Sequence, residues 1–318
     1  MDDSDIWVER ARGLAPRIAA RAAEHDRDAS FPFENFAELR EAGLLRLTVP
    51  SDHGGAGASL TTFLRVQEAL AHGDGSTAMA LNMHLKLFGA EREASVYPAD
   101  WYAEMCRGAV EDGWLCNTVA SEEGLGSPAG GGIPETTARP VEGGWMLEGR
   151  KTWTTMAPIL HYFIVMARLD PDRAGPPVIA NFMVFRDDPG FRVEETWDSL
   201  GMRATGSHDV VFENLFVPAD RLLTQRDGSK GDRRGAAGVA WFALGLSAVT
   251  LGVATAARDY SVAYARANGL PEAARRSRTS PACARASRGL TCCCSAAAHS
   301  CTTPRTPGNR SVRMAFRR

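Results

Sequence analysis

The sequence carries little that points to metal, phosphate-loop or secretory chemistry. Its histidines (His25, His53, His72, His84, His161, His208 and His299) include no pair at zinc-ligand spacing. Cysteine is scarce in the body. Cys106 and Cys116 stand alone before residue 280, and Cys292, Cys293 and Cys294 lack the intervening residues that let thiolates converge on one ion. Two glycine-rich stretches, GGAG at 54–57 and GLGSPAGGG at 124–132, could contact a ligand. Neither ends in the Gly-Lys-Ser/Thr of a Walker loop and neither opens a strand-turn-helix unit, so both read first as turns and a Rossmann-type cofactor site is not indicated. The acidic start, MDDSDIWVER, lacks the basic-then-apolar order of a signal peptide. No unbroken apolar run reaches the ~20 residues of a membrane span. The expected location is the cytoplasm, with no membrane partner.

The net charge of −2 gives no reason to expect nucleic acid as a partner. That average hides a break. From Leu270 onward there are ten arginines, no lysine and one acid, Glu272, together with five of the seven cysteines. Isoleucine, tyrosine and tryptophan are absent there. Such a segment buries too little apolar area to offset its ordering entropy, and residues 270–318 are expected to be a disordered tail.

Residues 1–112 are expected to form an α-helical domain. FENFAELREAGLL places Phe33, Phe36, Leu39 and Leu44 at helical intervals behind Pro32. SLTTFLRVQEALAHG and GSTAMALNMHLKLFGAER follow as helices, each with Ser near its start and Gly near its end. Near Gly113 the period changes. WLCNTVA, TTARPVEGG, WMLEG, HYFIVMARL, VIANFMVF, FRVEETW and DVVFENLFV are short and β-rich, and EGGW at 142–145 reads as a hairpin turn. This predicts a β domain over 113–222, a barrel or sandwich. A long helical run follows at 236–268, apolar on most sides over its first two-thirds, which calls for neighbours all round.

Within GRKTWTT, strand alternation puts Trp153 and Thr155 on one face, opposite Thr154. An indole beside a hydroxyl suits a planar ligand with polar edges, although the residues alone favour a core tryptophan. His84, inside an apolar helix, is either a satisfied core histidine or a substrate-facing group.

Five stretches, in order, carry a resemblance. VPSDHGGAGASL is similar to a P-x-x-x-G-G-x-G link, GDGSTAMALNMH to a family helix, and VASEEGLGSPA to T-E-P-x-x-G-S-D. LEGRKTWTT is similar to x-G-x-K-x-W-I-T, and LGMRATGSHDVVFENLFVP resembles the end of a β domain. Over about residues 15–268 the sequence resembles the acyl-CoA dehydrogenase family. The implied fold is α+β: an N-terminal helical domain, a middle β-barrel and a C-terminal helical domain, here truncated. The implied cofactor is FAD. Trp153 would flank its ring system, Thr155 would donate to its N5 edge, and Ser121 with the backbone near Thr118 would meet the pyrimidine side. Thr154 stands where isoleucine is usual within this cofactor stretch. Ser127 would lie near the acyl-CoA. Ser121 replaces a usual threonine, Glu123 a proline and Pro128 an aspartate.

The family reaction, α,β-desaturation of an acyl-CoA thioester within acyl-CoA metabolism, needs a carboxylate base. Between Ala236 and Ala257 there is no Asp or Glu, the corresponding position falls near Phe242, and no catalytic base is named. GLTCCCSAAA is what a leucine run becomes after a one-base slip, so the C-terminus from about Leu270 is expected to be frameshifted or otherwise aberrant and the enzyme inactive as written. The family's homotetramer is then not expected, while an electron-acceptor protein stays among the possible partners. Two alternatives stand: a flavin-dependent monooxygenase of the same fold, in which His84 could face the substrate, and a non-catalytic remnant.

Overall fold

The computed structural model describes residues 3–124, 132–172, 174–228 and 235–267. Ser127 and the Arg/Cys-rich segment lie outside the described residues, as therefore does the expectation of a disordered tail. All described elements belong to one compact unit, Met1–Asn268.

The helical part comprises α1 (Asp3–Asp28), α2 (Phe33–Glu41), α3 (Leu60–Gly73), α4 (Gly75–Ala94) and α5 (Ala99–Arg107), joined after the β part by α6 (Gly235–Ala267). Ser59 caps α3 by accepting the Thr62 N–H at 3.2 Å. The cap of α4 is Asp74, not a serine; its carboxylate accepts the N–H groups of Ser76 and Thr77 at 3.1 and 2.9 Å. Gly89, expected near the end of that helix, lies inside it. A Cβ there would overlap the Trp241 ring, so the glycine is a packing requirement.

α6 lies on α3 and α4. Trp241, Gly245, Ala248, Val249 and Gly252, spaced along one face, are buried. Trp241 packs tilted on Phe63 with ring centroids 5.1 Å apart and donates its Nε1–H to Glu93 at 2.8 Å. Val239, Phe242, Val253, Tyr260, Val262 and Tyr264 are exposed. The absence of a span-length apolar segment is not upheld: an 18-residue window of α6 has mean hydropathy 1.8, so by length and composition the helix could cross a membrane. The unbroken-run criterion missed it because Ser247 and Thr250 interrupt the run, although their hydroxyls donate to Ala243 and Leu246 carbonyls of the same helix.

The β part is one eight-stranded sheet: β1 (Cys116–Val119), β2 (Thr137–Val141), β3 (Gly144–Thr154), β4 (Tyr162–Leu169), β5 (Val178–Phe185), β6 (Phe191–Glu194), β7 (His208–Pro218) and β8 (Leu222–Asp227). The pairing order is β6-β7-β3-β2-β4-β5-β8, with β1 parallel to the first half of β4. β6 and β8 end the path, so the ladder is not a closed ring among the described residues. The β2–β3 turn is Glu142-Gly143, with Gly143 at φ +77°, where glycine is favoured. β8 lies beyond the expected end at residue 222. Leu87 and Phe88 of α4 share a core cluster with Cys116, Ile164 and Met183, which joins helices and sheet through apolar contact.

Candidate functional site

β3 departs from regular pairing near its end. Lys151 pairs with Val210 and Thr154 with His208, so β3 carries one extra residue against β7, a bulge that re-aims a side chain. Trp153 sits in this bulge with φ +57° and is 55% exposed, whereas Thr154 is buried. Regular alternation would put Trp153 on the face of buried Lys151, in keeping with the core tryptophan that the residues alone favoured; the bulge turns it outward instead. Thr155 lies just past the strand, and the Thr154 side chain points into the core, so only the backbone of Thr154 can border a ligand. An aromatic residue in the left-handed region costs about 1–3 kcal/mol and persists where its surroundings over-determine it.

Those surroundings are specific. The Thr152 N–H donates to the Ser121 carbonyl at 3.0 Å, which ties the bulge to the segment after β1. Asn117 of β1 donates from Nδ2 to the Thr155 carbonyl at 3.1 Å. The N–H groups of Met156 and Ala157 donate to the carbonyls of Thr205 and Gly206 at 3.0 and 3.1 Å. Arg186 donates to the Leu160 carbonyl at 2.7 Å and also to that of Ala157.

A row of hydroxyls runs inward from the bulge. Thr155 Oγ1 is 3.0 Å from Ser207 Oγ, which is 2.7 Å from Thr205 Oγ1, which donates to the Met202 carbonyl at 3.0 Å. A carbonyl only accepts. Either partner can be the donor at the Thr155–Ser207 and Ser207–Thr205 contacts; with the Thr205 hydroxyl donating to Met202, keeping both contacts has Ser207 donate to Thr205 and Thr155 to Ser207. In that arrangement Thr155 offers lone pairs outward. Asn117 Oδ1, Thr152 Oγ1 and Thr154 Oγ1 are buried without a partner among the described residues.

Behind the bulge lies a pair of charges, at the Glu of the T-E-P-like stretch and the Lys of the G-x-K-x-W-like stretch, to which the sequence alone assigns no role. Lys151 Nζ stands 2.6 Å from Glu122 Oε1, with both side chains inside the protein. Glu122 also accepts the N–H groups of Glu135 and Thr136 at 2.6 and 2.9 Å and the Thr136 hydroxyl at 2.6 Å. Burial works against the charged carboxylate, but Lys151 and these donors outweigh it and hold Glu122 below its ordinary value. Burial draws the Lys151 ammonium down to about 8 against the pull of Glu122. An ionised acid with every donor so placed is structural and is no proton acceptor at neutral pH.

Thr118 and Ser121 are half-buried along β1 and just beyond it, on the side that Thr152 and Asn117 join to the bulge. Ser127 is outside the described residues. His84 does not face a substrate. It is fully buried, Nε2 donates to the Leu45 carbonyl at 2.8 Å, and Nδ1 accepts the Cys116 N–H at 3.2 Å, so the core reading holds. The GGAG loop is a turn: the N–H groups of residues 54–58 donate to Ser51, Pro50, Arg46, Val49 and Leu47 carbonyls, leaving no amide cradle for an anion.

A helical body interrupted by a β domain, with an exposed indole and a hydroxyl row on a bulged strand, defines a two-part architecture with its candidate site on the sheet. Models for the N-terminal and middle domains of acyl-CoA dehydrogenases match residues 2–92 and 117–215. The chain is 40% identical over 264 residues to "Putative acyl-CoA dehydrogenase YdbM" of Bacillus subtilis, covering 83% of this chain and 67% of that protein. It belongs to the acyl-CoA dehydrogenase family. L-evernosamine nitrososynthase of a Micromonospora species is 37% identical over 273 residues, covering 82% of this chain and 62% of its own length. A solved structure of KijD3 in complex with FMN and dTDP-3-amino-2,3,6-trideoxy-4-keto-3-methyl-D-glucose superposes with a TM-score of 0.76 at 32% identity, covering 97% of this chain and 76% of that one. The chain therefore spans roughly two-thirds of the length of these curated relatives.

Proposed function

We propose that the chain is the flavin-binding part of an oxidoreductase acting on a small molecule. The observation that carries this is Trp153: an aromatic residue held in a costly backbone conformation by bonds on both sides, with its ring exposed beside hydroxyls. A flat heteroaromatic ring system with polar edges fits such a wall. Trp153 would lie against it, and Thr155, Ser121, Thr118 and the backbone of Thr154 would meet its edges. The buried, unpartnered Asn117 Oδ1 and Thr152 Oγ1 nearby suit a site whose polar satisfaction is completed by a ligand. Bound flavin supplies a two-electron acceptor or, when reduced, a reductant for oxygen. The residues of this chain bind and orient it.

FAD is the cofactor and an acyl thioester the substrate that the family resemblance favours, with desaturation as the reaction. That reaction needs a positioned base, which would come from beyond the described residues: Glu122 is committed to Lys151, His84 is closed in the core, and α6 carries no acid before Asp259. A second reaction, oxygenation of an amine or another electron-rich substrate with reduced flavin, is favoured by this same lack on α6 and by the likeness to a nitrososynthase, since no protein carboxylate has to remove a carbon-bound proton.

Titration of the purified full chain with FAD and with FMN, followed by absorbance and fluorescence, tests the binding. Saturable binding that Trp153→Ala weakens at least roughly tenfold is expected from loss of an aromatic stacking partner. Undiminished affinity in that variant would sink the proposed wall. Anaerobic bleaching of bound flavin by acyl-CoA thioesters would select desaturation, and oxygen-dependent product with reduced flavin would select oxygenation.

A further inference from the structure

The Glu122–Lys151 pair has no part in the proposed chemistry, and stability alone gives a poor reason for it. Replacing a buried ion pair by apolar side chains of similar volume is often neutral or stabilising. The two charges occupy telling positions. Glu122 directly follows Ser121, whose carbonyl accepts the Thr152 N–H. Lys151 is the last regularly paired residue of β3 before the bulge, two positions from Trp153. The Lys151 ammonium also reaches the Ala120 carbonyl at 3.4 Å. The Lys151 contacts, together with the Thr152–Ser121 bond, fix the segment after β1 and the start of the bulge to each other.

The strain at Trp153 requires such an anchor. On the far side of the indole, the Thr155 carbonyl is held by Asn117 and the Met156 N–H by Thr205. On the near side, the Thr152 N–H bond and the ion pair are the attachments. The hydroxyls of Thr152 and Thr154 hold nothing among the described residues. A bulge pinned at both ends cannot relax into regular pairing, and regular pairing would restore strand alternation and move the indole out of its present orientation.

We propose that Glu122 and Lys151 are positioning residues whose ion pair pins the upstream end of the bulge and so holds Trp153 exposed, in its left-handed conformation, beside Ser121. The inference rests on Trp153 being the wall of the flavin site. Its direct consequence, the exposure of the indole, can be read without flavin.

Two measurements on the full chain test this. The first is acrylamide quenching of the Trp153 emission, taken as the difference between the parent and Trp153→Phe, with and without Lys151→Met. Loss of the pin is expected to lower the quenching constant of Trp153 at least twofold. The second is a cycle of Lys151→Met and Trp153→Ala on FAD affinity. Lys151→Met is expected to weaken FAD roughly fivefold when Trp153 is present and to add nothing in the Trp153→Ala background, a coupling in the range found for linked residues. Because Lys151→Met leaves Glu122 buried and unpaired, the doubly apolar Glu122→Leu/Lys151→Met variant is measured as well, with folding checked by circular dichroism and urea titration. It is expected to be folded yet to keep the low quenching and weak affinity. Parent-like quenching and affinity in that folded double variant, or equal weakening of FAD with and without Trp153, would overturn the proposal. If Trp153→Ala leaves parental FAD affinity intact, the flavin wall fails, and quenching alone then decides the positioning role.

Discussion

The hydroxyls of Thr155 and Ser207 stand 3.0 Å apart, at the outer end of a row that finishes on the Met202 carbonyl. With each hydroxyl donating inward along that row, the Thr155 proton is spent on Ser207. A ligand N–H is therefore a better partner for Thr155 than a ligand lone pair. In the proposed site, reduced flavin presents such an N–H. Ser207→Ala frees the Thr155 proton and is expected to raise affinity for oxidised relative to reduced flavin by roughly 2–10-fold, the worth of one hydrogen bond. The ratio is obtained from titrations of both redox forms. An unchanged ratio would contradict the assigned direction of the row.

His84 gives the fold an acid sensitivity. Burial pushes its ring down to about 4 from an ordinary 6.5. Between these values the unfolded chain binds a proton that the folded chain refuses, so this stability is present above pH 6.5 and is lost as pH falls toward 4. The full effect is ~3 kcal/mol. Urea unfolding at pH 7.5, 6 and 5 should show the decline, and His84→Leu should flatten it while costing about 1–3 kcal/mol at pH 7.5 through the unpaired Leu45 and Cys116 groups. A parental slope in the variant would assign the acid sensitivity elsewhere.

Trp241 fastens α6 to α4. Trp241→Ala removes the ring that Gly89 makes room for and leaves Glu93 without its indole donor. A loss of about 3–5 kcal/mol is expected from such a truncation. Limited trypsin digestion should then cut faster at Arg258 and Arg266. Digestion at the parental rate, with unfolding unchanged, would mean that α6 is held by other contacts.

The outer face of α6 should promote self-association. Val239 and Phe242 are exposed on a helix whose first 23 residues carry no charge. Val239→Ser/Phe242→Ser is expected to lower the weight-average mass in sedimentation experiments at high protein concentration. An unchanged mass would place association on another surface.

The period change near Gly113 and the α+β order were legible in the sequence because hydrophobic spacing reports directly on helix and strand. Trp153 beside Thr155 was legible as a candidate, and only the family pattern favoured that reading over a core tryptophan. Its exposure depends on the register slip between Lys151 and Thr154, which alternation cannot encode. The Glu122–Lys151 pair was hidden for a related reason: its members are 29 positions apart, and each looks like a surface charge until the chain folds. β8 was missed because LLTQRD is mostly polar; its pairing comes from the free edge of β5. His84 could be narrowed to two roles from its apolar helix, and the choice between them needed Leu45 and Cys116, which no local pattern brings near it.

The return of α6 to α3 and α4 has a consequence for biosynthesis. His72 and Asp259, 187 positions apart, meet at 3.1 Å, and Gly252 lies against the backbone of Glu68. During translation the sheet, spanning 116–227, can be completed on the ribosome while the earlier helices still lack the layer that covers them. At 5–20 residues per second that interval is roughly 10–40 s. Over it, the nascent protein presents Phe63 and Ala71 without their eventual cover, which makes this stretch of synthesis the natural point of engagement for a chaperone.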